Sequence, residues 1–334
     1  MSYDIVGIGN ALVDIQVRVD DEKLNELGFT KGGMTLTDLK EQREVLHELR
    51  GLSRSISSGG SAANTIHGLG ALGSKTYYIG KIANDEFGKH YSEDMTNCSV
   101  GFPGPDADSH GTGTSLICIT PDAQRTMVTN LGISSELHSS NVDTTILSGV
   151  RFVYIEGYLW TSENTREAAI KLAKEAKKLG IPVAFTLSDA FVIENFRDEI
   201  MDFLQWNVDI LFCNEVEGTT AANNSNPEEA VHFLGDLCET VFFTRGEEGA
   251  WVLKQSHELE SVKSFVVDAM DTTGAGDLFA AGALYGLLHG KSMQECAILG
   301  GYMAAQVVSH LGARIPAHSH KKIETIMQLY SEIE

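Results

Sequence analysis

From residue 151 onward, short apolar runs alternate with longer amphipathic ones, and this alternation narrows the possible folds more than any other feature. Residues 152–155, 182–187, 209–213, 240–244 and 250–253 read as buried strands. Between the first two, residues 162–179 carry an apolar stripe at Ala169, Leu172, Ala173 and Ala176 and stop at Gly180, as a helix packed on one face does. Further helices read at about 197–206, from about Glu215, at roughly 227–238, and from Gly274 and Ser292. Nearer the N-terminus, a strand at 3–9, a helix at 61–72 and a strand at 75–79 continue the pattern. Strands joined through helices return to the same end of a sheet and so run parallel. The expected fold class is α/β, with a largely parallel central sheet and helices on both faces.

Two stretches, roughly 14–37 and 98–130, break this rhythm. They hold short extended pieces, including 112–119 and 125–130, separated by Gly, Pro and Asp turns, and could pair as a small β lid. The chain's 334 residues show no long linker, low-complexity tract or repeat. One domain over 1–334, carrying that lid, is therefore expected.

Composition excludes some function classes. Lys and Arg number 25 against 46 Asp and Glu, a formal net charge of −21, which disfavours non-specific binding to nucleic acid or anionic membranes. The five cysteines are scattered and odd in number, as in a reduced cytoplasmic protein rather than a disulfide framework or zinc site. No leader-like or membrane-spanning apolar run is visible. Some apparent motifs are set aside. Gly68-Leu-Gly-Ala-Leu-Gly73 fits G-x-G-x-x-G by letter, but closes a helix and precedes a strand, the reverse of a dinucleotide site. The P-loop-like 286–292 is one residue short and also ends a helix. His318 and His320 have no third partner in sequence and read as solvated.

Five features carry possible chemistry, each with a plain structural alternative. In "DTTGAGD" (residues 271–277), Gly274-Ala275-Gly276 exposes backbone N–H groups at a helix start, an anion cradle with Asp277 beside it; the alternative is a Thr-capped, tightly packed helix. Gly59 and Gly60 precede Asn64 at another helix start, or simply make a turn. Asn10 and Asp14 follow the first strand, where Asp14 could accept from vicinal hydroxyls or cap a loop. Asn214 and Glu217 lie at a strand-to-helix junction, where Glu217 could meet hydrated Mg²⁺ or merely favour the helix dipole. Arg125 could reach phosphate from the lid, or form a surface ion pair.

Together these features resemble the ribokinase-type (PfkB) carbohydrate kinases over nearly the whole chain. The resemblance rests on the Gly-Gly segment with Asn64, the Asn214/Glu217 pair, "FTRGEEGAW" (243–251) and "DTTGAGD". Within that family, "GNALVDI" (9–15), "GTGTSLICIT" (111–120), "FTLSDAFVIENF" (185–196) and "VDILFCNEVE" (208–217) are most similar to adenosine kinases, although Thr273 stands where those commonly carry Asn.

The resemblance implies an ATP-dependent kinase that phosphorylates the 5′-hydroxyl of a nucleoside, most simply adenosine to AMP. Another nucleoside or a free sugar such as inosine, ribose or fructose is the nearest alternative, and a catalytically silent nucleotide-binding protein a more distant one. It makes Asp277 the base and the Gly274, Ala275 and Gly276 amides, with Arg125, the stabilisers of phosphoryl charge. Ribose hydroxyls fall to Asp14, Gly60 and Asn64, and an adenine slot to Leu12, Tyr158 or Leu159, whose alternative is core packing. The ATP adenine is expected between the segment after Thr244-Arg245-Gly246 and the helix near 292–310. A monovalent cation such as K⁺ near Asp271 and either a monomer or a lid-mediated homodimer are further expectations.

Overall fold

The computed structural model describes residues 2–106, 110–255, 258–315 and 323–331, and its strands alternate their side chains between two separate cores. In chain order the strands are β1 (Ile5–Ile8), β2 (Leu12–Arg18), β3 (Met34–Leu36), β4 (Arg54–Gly59), β5 (Thr76–Ile79), β6 (Gly113–Ile119), β7 (Arg125–Asn130), β8 (Phe152–Glu156), β9 (Val183–Thr186), β10 (Ile210–Asn214), β11 (Thr240–Thr244), β12 (Ala250–Lys254) and β13 (Glu260–Val262). The large sheet has the order β13-β12-β11-β10-β9-β8-β1-β5. Its six strands from β11 to β5 are parallel, while β12 and β13 add antiparallel.

Because successive strand side chains point to opposite faces, neighbours in sequence enter different cores. Ile5, Tyr154, Ala184, Phe212 and Phe242 pack with the helices Ser61–Ala71, Ala275–Leu288 and Met293–Val308. Val6, Val153, Phe185, Leu211 and Phe243 pack on the opposite side with Glu163–Lys178, Ala190–Asn207 and Pro227–Leu237. Both faces are covered, which is why these strands read as continuous apolar runs. From β8 the chain steps outward through β9, β10 and β11, whereas from β1 it goes the other way, to β5. The switch point therefore lies between β1 and β8, and the crevice beyond their C-terminal ends is where an open α/β sheet binds ligands.

The second sheet has the order β3-β7-β6-β2-β4. Ile15, Val17, Leu116, Cys118 and Val128 on one face bury against Leu24 and Leu49. The alternate positions, among them Asp14, Ser115 and Thr129 in one register row, face the other way.

Several differences from the sequence reading have local causes. The small sheet also uses β4, whose polar sequence RSISSG has no apolar alternation to announce it. Residues 98–106 run beside the large sheet instead, with Gly101 bridging Tyr77 and Asp106 bridging Ala83. The helix expected from about 197 begins earlier, at Ala190, capped by Asp189, and a kink at Phe196 (φ −133°) separates that first part from the stretch beyond it. Gly68 packs on Leu278 and Ala281, and Gly286 on Cys296, so both discarded glycine motifs are packing contacts. His318 and His320 lie outside the described residues. No described helix is long and apolar enough to cross a membrane.

Phe242 has no exposed surface and stacks on Phe212 with ring centroids 5.0 Å apart, with Phe279 edge-on at 6.2 Å. Phe242→Ala should cost about 3–5 kcal/mol through lost burial and the cavity left behind. Urea denaturation tests this: an unchanged midpoint would contradict the packing described here.

Candidate active site

Beyond the ends of β1 and β8, the inner face of the small sheet walls a cleft of about 680 Å³ that includes its open mouth. Leu12, Met34, Leu36, Ile117, Met127 and Leu131 give it an apolar wall, while Asn10, Asp14, Gly60, Asn64, Glu156 and Asp277 supply polar groups and Arg125 and Tyr158 also line it. The wall follows from strand register: β2, β3, β6 and β7 turn every second residue inward.

Asp277 sits in the first turn of the helix Ala275–Leu288. Its Oδ1 accepts from the Ser61 hydroxyl at 2.7 Å and its Oδ2 from the Asn64 amide at 2.9 Å. Burial raises its pKa, with the two hydrogen bonds and the charges of Arg125 and Arg314 opposing. The helix is capped by Gly274, whose φ of +79° suits a residue without Cβ. Ala275 N–H is taken by the Thr272 carbonyl at 3.2 Å. Among the described residues, the Gly274, Gly276 and Asp277 N–H groups have no acceptor. A Cβ on Gly276 would meet no other atom within 4 Å, so the backbone there is open to an approaching anion. Of the three amides expected to form the cradle, Ala275's is thus already engaged.

A second helix start faces the first. Gly60 has φ +92° and lies so close to the Asn10 carbonyl that a Cβ would collide with it. It leads into Ser61–Ala71, which presents both Ser61 and Asn64 to Asp277. Glu156, missed in the sequence, ties this helix to the switch point. Its carboxylate accepts from Asn10 N–H at 2.7 Å, Asn10 Nδ2 at 3.0 Å and Ala62 N–H at 2.7 Å. An acid ending the apolar run FVYIE, at the ligand edge of the sheet, is the signal that marks it. Burial pushes its pKa up to about 7 against the pull of those donors.

Asp14 is 4% exposed, yet among the described residues its carboxylate accepts no hydrogen bond. Burial pushes its pKa up to about 7, with Arg314 and Arg125 pulling it down. Arg125, half-buried on β7, makes no ion pair or hydrogen bond through its guanidinium among the described residues. The cleft therefore contains an unbonded buried carboxylate and an unpaired guanidinium.

Asn214 and Glu217 form a reciprocal cap. Asn214 donates from Nδ2 to Glu217 Oε1 at 2.6 Å and from N–H to Oε2 at 3.1 Å, and accepts from Glu217 N–H at 2.8 Å. Each Glu217 oxygen thus keeps capacity for one more donor or a water. Burial pushes its pKa up to about 7, with the Asn214 N–H and the Arg125 charge pulling it down. Among the described residues no three His, Cys, Asp or Glu side chains converge as a direct metal site. Thr244 ends β11 beside Asn214 on β10, and Gly246, with φ +58°, follows it. Arg245 between them pairs with Glu215 at 2.8 Å and covers Trp251 at 4.0 Å, so "FTRGEEGAW" braces this edge.

One expectation changes. Leu159 does not line the cleft: in the 3₁₀ turn Gly157–Thr161 it points into the core with Trp160, while Tyr158 faces the cleft and donates to Asp189 at 3.3 Å. The Asp271 carboxylate is fully engaged, so a monovalent cation near it would have to be held by other groups. Thr273 N–H, Thr273 Oγ1, Gly312 N–H and Gln16 Nε2 already occupy its two oxygens at 2.9, 2.5, 2.9 and 3.4 Å. Gly59 lies beneath Asp14, close enough that a Cβ would strike the carboxylate.

Residues 33–320 match the family model of pfkB family carbohydrate kinases. The chain belongs to this family. The kinase is 34% identical to the adenosine kinase of Sinorhizobium meliloti, whose crystal structure superposes with a TM-score of 0.92 over 97% of this chain and 100% of that one. It is 25% identical to adenosine kinase of Dictyostelium discoideum over 95% of this chain and 98% of that protein. It is also 24% identical to 5-dehydro-2-deoxygluconokinase of Bacillus subtilis, over 99% and 97%. It is a phosphotransferase that acts on an alcohol group of a sugar or nucleoside.

Asp14, Glu156 and Glu217 share one consequence of burial. Their folded pKa values near 7 exceed the unfolded carboxylate range of about 4, so the folded kinase binds more protons between those limits. Stability is then greatest below that window and falls as pH rises through 7. His67, held neutral by burial with its pKa lowered to about 2, acts oppositely below its usual range. The three carboxyls should outweigh it, so thermal scans of ligand-free protein should show Tm falling from pH 5 to pH 8, less steeply in Asp14→Asn. A steady rise in both proteins would contradict this.

Proposed function

We propose that this kinase transfers the γ-phosphoryl group of ATP to the 5′-hydroxyl of a nucleoside, adenosine, yielding AMP and ADP. The observation that carries the reading is Asp14: a buried carboxylate that accepts no hydrogen bond among the described residues and lines the same cleft as an apolar wall and Asp277. An ionised carboxylate only accepts, and the 2′ and 3′ hydroxyls of a ribose supply two adjacent donors. The flat base would lie against Leu12, Leu36, Ile117, Met127 and Tyr158, a surface that a free sugar has no need of.

With ribose so held by Asp14, Gly60 and Asn64, the 5′-hydroxyl would meet Asp277. Asp277 takes the hydroxyl proton as the 5′-oxygen bonds to phosphorus and the bond to the ADP oxygen breaks. A general base contributes roughly 10²–10⁴-fold. The free N–H groups of Gly274 and Gly276, together with Arg125, stabilise charge on the transferred group, where phosphoryl transfer gains most. Neutralising the phosphate oxygens is the chemistry Mg²⁺ supplies when bound, and Glu217 would meet its water shell. The ATP adenine is assigned to the edge formed by Asn214, Thr244 and Gly246, near the helix Met293–Val308. The small sheet serves as the lid and excludes water.

The test is kcat/KM with ATP over adenosine, inosine, ribose, fructose and 2′-deoxyadenosine. Adenosine should lead, 2′-deoxyadenosine should be at least about tenfold poorer because Asp14 is left unpaired, and Asp14→Ala should narrow that gap. A lead for ribose or fructose would make this a free-sugar kinase. Equal use of the two adenosines by wild type would remove Asp14 from ribose recognition.

A further inference from the structure

Arg314 lies in the loop after the helix Met293–Val308, outside the cleft lining, yet two of its three side-chain nitrogens reach residues beside Asp277 while the third is held by Asp94 and Met95. Its Nε donates to Asn64 Oδ1 at 3.2 Å, its Nη1 to Asp94 Oδ2 at 2.7 Å and its Nη2 to the Gly59 carbonyl at 3.4 Å. The guanidinium also rests 5.7 Å from the centre of the Tyr91 ring, and its side chain is 9% exposed. The same loop supports the anion cradle: Gly312 N–H donates to Asp271 at 2.9 Å, and Ala313 packs so tightly on Gly274 that a Cβ there would sit 2.7 Å from the Ala313 Cβ.

We infer that Arg314 is a positioning residue for Asp277 and acts through Asn64, an inference that rests on Asp277 being the base. A carboxamide has two ends of opposite character, and only one order satisfies both neighbours. With Oδ1 toward the donor-only guanidinium, Nδ2 is left to donate to Asp277 Oδ2 at 2.9 Å. The flipped amide would set N–H against guanidinium N–H and oxygen against carboxylate, two repulsive contacts. Asp94 and the Gly59 carbonyl hold the guanidinium plane, so the orientation passes from Asp94 through Arg314 and Asn64 to Asp277. Ser61 fixes the other oxygen at 2.7 Å. The carboxylate is thereby aimed, and the residue linking helix start to glycine turn is neither a substrate ligand nor part of the glycine motif. Lysine cannot replace it, because one ammonium lacks a planar fork that reaches Asn64, Asp94 and Gly59 together.

The experiment is a double-mutant cycle on kcat with adenosine and ATP, using Arg314→Met, Asn64→Ala and the pair, with Asp277→Asn as reference and a denaturation midpoint for each protein. Arg314→Met should lower kcat roughly 10–100-fold, as loss of an orienting partner behind a metal ligand does, and leave KM for ATP nearly unchanged. In the Asn64→Ala background the same change should cost much less than it does alone, because both act along one chain of contacts. Arg314→Lys should recover the midpoint but not kcat. If Arg314→Met fails to fold, Arg314→Lys enters the cycle in its place. Multiplying losses in the cycle, or a lowered midpoint with wild-type kcat, would overturn the inference. Near-normal turnover in Asp277→Asn would instead overturn the base assignment beneath it.

Discussion

The site depends on one electrostatic compromise: a carboxylate placed beside a helix end that is open to anions. Asp277 and a phosphoryl group repel each other, and burial removes the water that would screen them. The helix start at Gly274 supplies unpaired N–H groups, while Arg125 and Arg314 oppose the rise in the Asp277 pKa. Ser61 and Asn64 direct donors onto both carboxylate oxygens. Without those donors and charges, burial would push the Asp277 pKa higher still, and a protonated acid accepts no proton.

The fold exists on both sides of that compromise. The large sheet brings the C-terminal ends of β1 and β8 together, and Glu156 joins them by bonding Asn10 and Ala62. The small sheet contributes what the large one lacks, an inward face that mixes apolar residues with Asp14 and Arg125. Each sheet alone is half a site. Their junction, where Gly59 and Gly60 lead from β4 into the helix Ser61–Ala71, admits no side chain at either glycine without displacing Asp14 or Asn10.

Local patterns were legible in the sequence, whereas partnerships across the chain were not. The strands from β8 to β12 and the caps Gly274 and Ser292 follow from periodicity and capping chemistry, which act within a few residues. The same holds for the cradle glycines and Asp277. Strand β4 escaped because a serine-rich edge has no alternation. Leu159 was misassigned because adjacent residues in a 3₁₀ turn point in different directions, and sequence alone does not say that Tyr158 takes the cleft. Arg314 lies 250 positions from Asn64, and no spacing rule connects them. The family match carries the enzyme class, while relatives named for adenosine and for a deoxygluconate derivative lie at similar identity, so the proposed substrate choice is argued from side chains of the small sheet.

The central claim is that Asp277 works as an ionised base in a buried setting. It is tested most directly by kcat against pH at saturating ATP, Mg²⁺ and adenosine, in wild type and in Asp277→Asn. Under saturation the profile reports groups in the complex. In the proposed complex, bound hydroxyls on Asp14 and a hydrated cation at Glu217 favour their charged forms and Glu156 keeps its three donors, so an acid limb that Asp277→Asn removes is assigned to Asp277. The account predicts that wild-type kcat falls as pH drops, at a pH above the ordinary aspartate range, and that the residual rate of Asp277→Asn lacks this acid limb. The same limb in both proteins would contradict it.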